Sequence, residues 1–174
     1  ISKWHDYVLP SGLINNTSEC YAVANNSAIQ VYHWANPIQP LYELSDVHQN
    51  TLLYFNDQIA IYLTKQHLML YNHIYKEHNI LGELSEQIKP LVDEIYQGSS
   101  LCHVDINNTS QLIAQYIDYN FLPIRIKEDR NIHYYLYNMD GQYVEQFNTR
   151  KDMLKYIDQE ISRNHLSCDM LRLY

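Results

Sequence analysis

The chain has 174 residues, a formal net charge of −8 at pH 7 and a pI near 5.5. That length suits one domain, residues 1–174, with a core large enough to stand without disulfides or metals. The acidic balance argues against a general nucleic-acid binder, which needs a basic face, and no apolar run is long enough to span a bilayer.

The hydrophobic fraction is 46%, much of it supplied by 17 tyrosines. Cys20, Cys102 and Cys168 form an odd set without close spacing. That fits neither a zinc framework nor a disulfide scaffold and points to a reducing compartment, cytoplasmic or reached by translocation. No signal-peptide pattern opens the chain. Because it begins with Ile1 rather than Met, it reads as a processed or excised piece that could have lost a targeting segment. The Asn-x-Ser/Thr triplets at Asn15, Asn16, Asn25, Asn107 and Asn108 are what an asparagine-rich chain contains by chance.

Residues 1–17 read as an extended lead-in, with Trp4, Tyr7, Val8 and Leu9 able to dock on a core before Pro10-Ser11-Gly12 turns the chain. Residues 18–36 read as a helix. Thr17 or Ser18 supplies a cap, Glu19 places charge where the helix dipole favours it, and Tyr21, Ala24, Ala28, Val31 and Ala35 form an apolar stripe at helical spacing. Asn36-Pro37 ends it. Cys20 would then sit at the positive end of a core helix, where the thiolate is favoured.

Residues 41–120 read as mostly helical. Ile59–Leu63 and Leu68–Tyr71 also suit strands, but the absence of Gly and Pro from Leu41 to Glu77 favours helix. The spacing of His67, His73 and His78 does not put all three on one helical face, so they read as structural rather than metal-binding. Gly82 breaks the chain. Ile88, Leu91, Val92 and Ile95 form a short helix begun by Pro90 and closed by Gly98. Ser110 caps another carrying Leu112, Ile113, Tyr116 and Ile117.

Residues 121–148 read as antiparallel strands: Phe121–Ile126, Ile132–Tyr137 and Gln142–Phe147, the last two joined by a two-residue turn at Asp140-Gly141. Thr149 caps a terminal helix over 149–163 with Met153, Leu154, Ile157 and Ile161 inward. The fold class implied is α+β, with one helix laid across the sheet.

The hairpin register places His133 directly opposite Asn148, on one face of the sheet. An asparagine carbonyl there can orient the imidazole and leave its other nitrogen free for a thiol, as nucleophilic cysteine chemistry requires. Each residue also has an ordinary reading: Cys20 as core, His133 as a strand-edge histidine, Asn148 as the residue before a helix cap. Cys102-His103 with Asp105 is a rival nucleophile or half a metal site. Adjacent strand residues point to opposite faces, however, and no second ligand pair has matching spacing.

The segment Cys20-Tyr21-Ala22-Val23-Ala24 resembles the Cys-aromatic-Ala helix of papain-like cysteine peptidases. Leu122-Pro123-Ile124, followed by Ile132-His133-Tyr134-Tyr135-Leu136, resembles their later sheet. The likeness is greatest to a bacterial branch that includes acyltransferases, and it covers about a quarter of the chain. The resemblance implies a papain-like arrangement with an N-terminal core helix, a helical middle and a C-terminal antiparallel sheet. It also implies Cys20 as nucleophile, His133 as base and Asn148 as third member. Ile14 stands where that family usually carries its oxyanion-hole Gln, so Asn15 or Asn16 would substitute, with the Cys20 backbone N–H as second donor. Glu19 and Asn138 stand where glycines are common, and Glu19 would raise the thiol pKa.

The function this implies is a thiol hydrolase or acyltransferase acting on a peptide, isopeptide or thioester carbonyl of a protein or peptide substrate, without cofactor or metal. The alternative is a non-catalytic α+β protein-interaction module, such as a pathogen or mobile-element protein, for which the acidic charge and aromatic richness suit a binding surface.

Overall fold

A computed structural model describes residues 10–172. Between residues 18 and 83 it has strands where the sequence suggested helices. Among the described residues, three four-stranded antiparallel sheets follow one another, each a meander in chain order. The first holds β1 (Leu13–Asn16), β2 (Cys20–Asn25), β3 (Ala28–His33) and β4 (Tyr42–Ser45). The second holds β5 (Leu52–Phe55), β6 (Ile59–Leu63), β7 (His67–Asn72) and β8 (Glu77–Glu83). The third holds β9 (Cys102–Val104), β10 (Phe121–Glu128), β11 (Asn131–Asn138) and β12 (Tyr143–Phe147). Three α-helices accompany them: α1 (Lys89–Tyr96), α2 (Ile106–Tyr116) and α3 (Arg150–Arg172). A mostly antiparallel β fold therefore replaces the helix-rich α+β, papain-like arrangement with its N-terminal core helix.

Residues 18–36 form a hairpin because the signals for a helix cap and for a tight turn are the same side chains. The Thr17 N–H donates to the Cys20 carbonyl at 2.7 Å, and Thr17 Oγ1 accepts from the Cys20 N–H at 2.9 Å. That closes a turn instead of starting a helix. The apparent helical stripe is interrupted at Asn26, whose φ of 55° suits asparagine in a turn. The same closure recurs in the second sheet. Asn56 and Thr64 each donate a backbone N–H to the carbonyl three residues on, both at 2.9 Å. Their side-chain oxygens accept the returning N–H groups of Ile59 and His67, at 2.8 and 3.0 Å.

The middle sheet explains why residues 41–83 were misread. Its strand β6 is buried on both faces. Ala60 and Tyr62 of β6 pack with Cys20, Ile29, Val31 and Leu44 of the first sheet. Ile61 and Leu63, between them, pack with α1 and with Leu122, Ile124 and Tyr137 of the third sheet. Such a strand reads as an unbroken apolar run, which periodicity does not separate from a buried helix. The outer face of the third sheet, through Tyr134 and Leu136, covers Leu112 and Tyr116 of α2 and Met153 and Ile157 of α3. The molecule is thus a stack: first sheet, second sheet, third sheet, α3.

Tyrosines tie these layers together, because a buried ring brings a hydroxyl that must find a partner. The Tyr42 hydroxyl crosses from the first sheet to donate to the Asn56 carbonyl at 2.8 Å. Tyr96 of α1 donates to the Leu63 carbonyl at 2.6 Å, and Tyr137 accepts from the Ser85 N–H at 2.8 Å. Backbone contact joins the second and third sheets at a pair of glycines. Gly82 lies inside β8 rather than breaking the chain. A methyl on it would fall on the Gly141 carbonyl, and one on Gly141 (φ 84°) would fall on the Leu81 carbonyl.

Among the helices, α1 begins with Pro90 in its first turn and is followed by Gly98 at φ 89°. Asp105 rather than Ser110 caps α2, its Oδ1 accepting from the Asn108 N–H at 3.3 Å. Ser110 sits inside the helix and its hydroxyl donates to the Leu53 carbonyl at 2.7 Å. Thr149 Oγ1 accepts from the Asp152 N–H at 3.1 Å at the head of α3, which runs to Arg172 and not to 163. Trp4, Tyr7, Val8 and Leu9 lie outside the described residues. Among the described residues no helix is long and apolar enough to cross a membrane.

Candidate functional site

His133 and Asn148 do face each other, by a route the sequence did not indicate. The β11–β12 turn has three loop residues, Met139, Asp140 and Gly141. The Gly141 N–H donates to the Asn138 carbonyl and the Asn138 N–H to the Gln142 carbonyl, both at 3.0 Å. Gly141, at positive φ, supplies the left-handed residue this loop needs. The longer loop shifts the pairing by one. A bulge between Leu136 and Tyr137 shifts it back, so that Tyr134 faces Phe147. Beyond that pair, His133 Nδ1 lies 3.1 Å from Asn148 Oδ1, an imidazole N–H donating to the carboxamide oxygen.

Cys20 lies elsewhere. It is in β2, opposite His33 and fully buried in the cluster between the first and second sheets. The second sheet stands between that cluster and the third sheet, which carries His133. Burial pushes the Cys20 thiol up to about 11, with Asp57 and Glu19 adding to the shift. This is the reverse of the lowering expected at a helix N-terminus. The neighbouring His33 is engaged locally, its Nδ1 accepting from the Ala35 N–H at 3.0 Å.

Cys102 in β9 is also buried, its Sγ directed to the Leu91 carbonyl at 3.6 Å, and burial raises its thiol to about 11 as well, with Glu128 and Glu94 adding to the shift. The Cys168 side chain lies outside the described residues. Among those residues no three His, Cys, Asp or Glu side chains converge as a metal site.

Asn15 and Asn16, the proposed oxyanion donors, are in β1, paired with Ala22 and Tyr21. The Asn15 Oδ1 accepts from the Asn16 N–H at 2.8 Å. Both line a cleft of about 360 Å³ between the β1–β2 turn, the end of β5 and α2. Across from them are Asn56, Asn107 and Gln111, with Tyr54 beside them. At Asn107 the cleft adjoins a second hollow of about 320 Å³, bordered by Leu13, Ile14 and His103.

Two groups of side chains meet in the cleft. Thr17, Asn56 and Ser110 are spent on the backbone: they close turns or anchor α2 to β5. Asn107, Ser110, Gln111 and Ala114 form the cleft wall of α2 at the spacing i, i+3, i+4, i+7. Leu112, Ile113 and Tyr116 on its other side are buried. That polar stripe is visible in the sequence, but it looks like an ordinary solvated face until the first strands of the sheets close over it. The head of α2 is fixed by an ion pair between Asp105 and Arg125. Arg125 Nε also donates to the Tyr134 hydroxyl at 3.1 Å.

No protein-family model matches the chain, and no match was found among characterised proteins or solved structures. The resemblance to papain-like peptidases gains no support from these comparisons.

Proposed function

We propose that this chain is a non-catalytic protein-interaction module. The observation that carries the reading is the state of Cys20. The thiol that would have to attack a carbonyl is fully buried between two sheets, with its pKa raised to about 11. Thiolate character and access are what make a cysteine reactive, and this environment opposes both. The His133–Asn148 pair is half-exposed on the third sheet and serves as a clasp across the end of the β11–β12 hairpin. Two buried, unpaired cysteines suit a reducing compartment.

The test is labelling of the folded protein near neutral pH with iodoacetamide and with an epoxysuccinyl thiol-protease probe, read by mass spectrometry. Cys20 and Cys102 should stay unmodified until denaturant is added. Cys20→Ala should remain folded, losing about 1 kcal/mol as a small buried truncation. Stoichiometric capture of Cys20 by the epoxide in native protein would overturn the reading in favour of a thiol enzyme.

A further inference from the structure

We propose that the cleft between the β1–β2 turn, β5 and α2 holds an extended peptide segment of a partner protein by its main chain, with Asn107 and Gln111 as the clamping groups. This assignment rests on the interaction-module reading and names the kind of partner.

The argument begins with the chemistry of the walls. Carboxamides and hydroxyls supply most of the lining side chains, with Glu19 as the one charged group and Tyr54, Phe55 and Ala114 as the apolar part of the wall. A carboxamide carries both a donor and an acceptor, so it matches a peptide group, which also carries one of each. Asn56 has spent its oxygen on the backbone N–H groups of Gln58 and Ile59, both at 2.8 Å. Among the described residues, the side chains of Asn16, Asn107 and Gln111 are exposed and make no hydrogen bond within the protein.

Spacing then selects the ligand. Asn107 and Gln111 are four residues apart on α2, about 6 Å along the helix axis. Alternate residues of an extended chain repeat at about 6.6 Å. Two carboxamides on one helix face can therefore each engage every second peptide group of a strand laid along α2, independently of its side chains. The second hollow shares Asn107 with the cleft, so the two together give more room than a single compact ligand needs. Charge adds a preference. Glu19 in the lining, in a chain of net charge −8, favours a neutral or basic segment carrying Lys or Arg.

The test uses the whole chain against a degenerate phage-displayed library of short peptides, with a glycan array in parallel. A selected peptide is resynthesised with a fluorophore and its affinity measured by anisotropy. Asn107→Ala combined with Gln111→Ala should weaken that peptide about tenfold or more, since two hydrogen bonds of about 1 kcal/mol are lost. Both residues are exposed on a helix, where alanine is well tolerated, so the melting temperature should hold. Ala114→Trp, which fills the cleft from the same helix, should block binding by a separate route. Glu86→Ala, on the loop before α1, should change nothing.

Peptides that bind equally well to the double variant and to Ala114→Trp would overturn this cleft as the site and leave the module reading intact. Binding of glycans alone, or of neither library, would overturn the peptide assignment. The module reading itself stands or falls on the thiol labelling of Cys20, which neither library affects.

Discussion

Gly141→Ala should cost on the order of 4 kcal/mol, among the most damaging single methyl additions to this chain. Two penalties coincide there. Gly141 has φ 84°, where a Cβ is strained, and the added methyl would fall on the Leu81 carbonyl and the Gly82 backbone. Backbone atoms cannot rotate aside as a side chain can, so the third sheet would have to separate from β8. Gly82→Ala meets the same obstacle from the other side without the φ penalty and should cost about 3 kcal/mol, the upper range for overpacking. Gly98→Ala is the control. It has φ 89° but open space around it, so only the conformational cost of about 1 kcal/mol should appear. Thermal melts should place Gly141→Ala roughly 10 °C or more below wild type. Equal shifts for Gly98→Ala and Gly141→Ala would show that the inter-sheet contact contributes nothing.

Raising the pH above 9 should unfold the protein over a narrow range. Burial pushes the thiols of Cys20 and Cys102 to about 11 from 9.0, and the phenols of Tyr62 and Tyr135 to about 12 from 10.0. Tyr42 is raised further still, again chiefly by burial. In the unfolded chain these groups release protons near their ordinary values. In the folded chain they hold them to higher pH. Between pH 9 and 12 the unfolded state therefore binds fewer protons, and stability falls as pH rises. The stabilisation is complete below pH 9, and each group then contributes a slope of up to about 1.4 kcal/mol per pH unit. The melting temperature should be level from pH 7 to 8 and fall steeply between 9 and 11. Phenolate absorbance should rise in two stages, with exposed tyrosines first and the buried set together with unfolding. A melting temperature unchanged through pH 11 would mean that these rings are not buried in solution.

The last third of the chain, with α1 and α2 before it, was legible and residues 18–83 were not, for one physical reason. In β11 and β12 the turn residues Asp140 and Gly141 are unmistakable. Even there, a loop one residue longer and a compensating bulge led to the expected His133–Asn148 pairing through the wrong turn. Between β2 and β3 the turn is made by Asn26 and Ser27, without glycine. Between β5 and β6 it is made by Asn56, Asp57 and Gln58, and between β6 and β7 by Thr64, Lys65 and Gln66. Asn, Asp, Ser and Thr serve helix caps and turns alike, and the doubly buried β6 removed the alternation that would have decided between them.

The cleft residues Asn15 and Asn16 were singled out, but as oxyanion donors to a thiol that proved to lie inside the sheet packing. Asn107 and Gln111 were passed over. A polar helix stripe carries no mark of the concavity it lines until distant strands supply the opposite wall.

The stacking order also follows the order of synthesis. The first two meanders are built from strands adjacent in the chain, so their hairpins close short loops and can form quickly as the chain emerges. The first and second sheets can pair before the third exists. During that interval Leu53, Ile61, Leu63 and Leu68, which the third sheet and α1 later cover, face water. A nascent chain stalled between residues 84 and 120 would present that apolar face to chaperones or to other stalled copies. On a ribosome it would be most vulnerable there, and completion of the Gly141 turn against β8 would mark the end of the exposure.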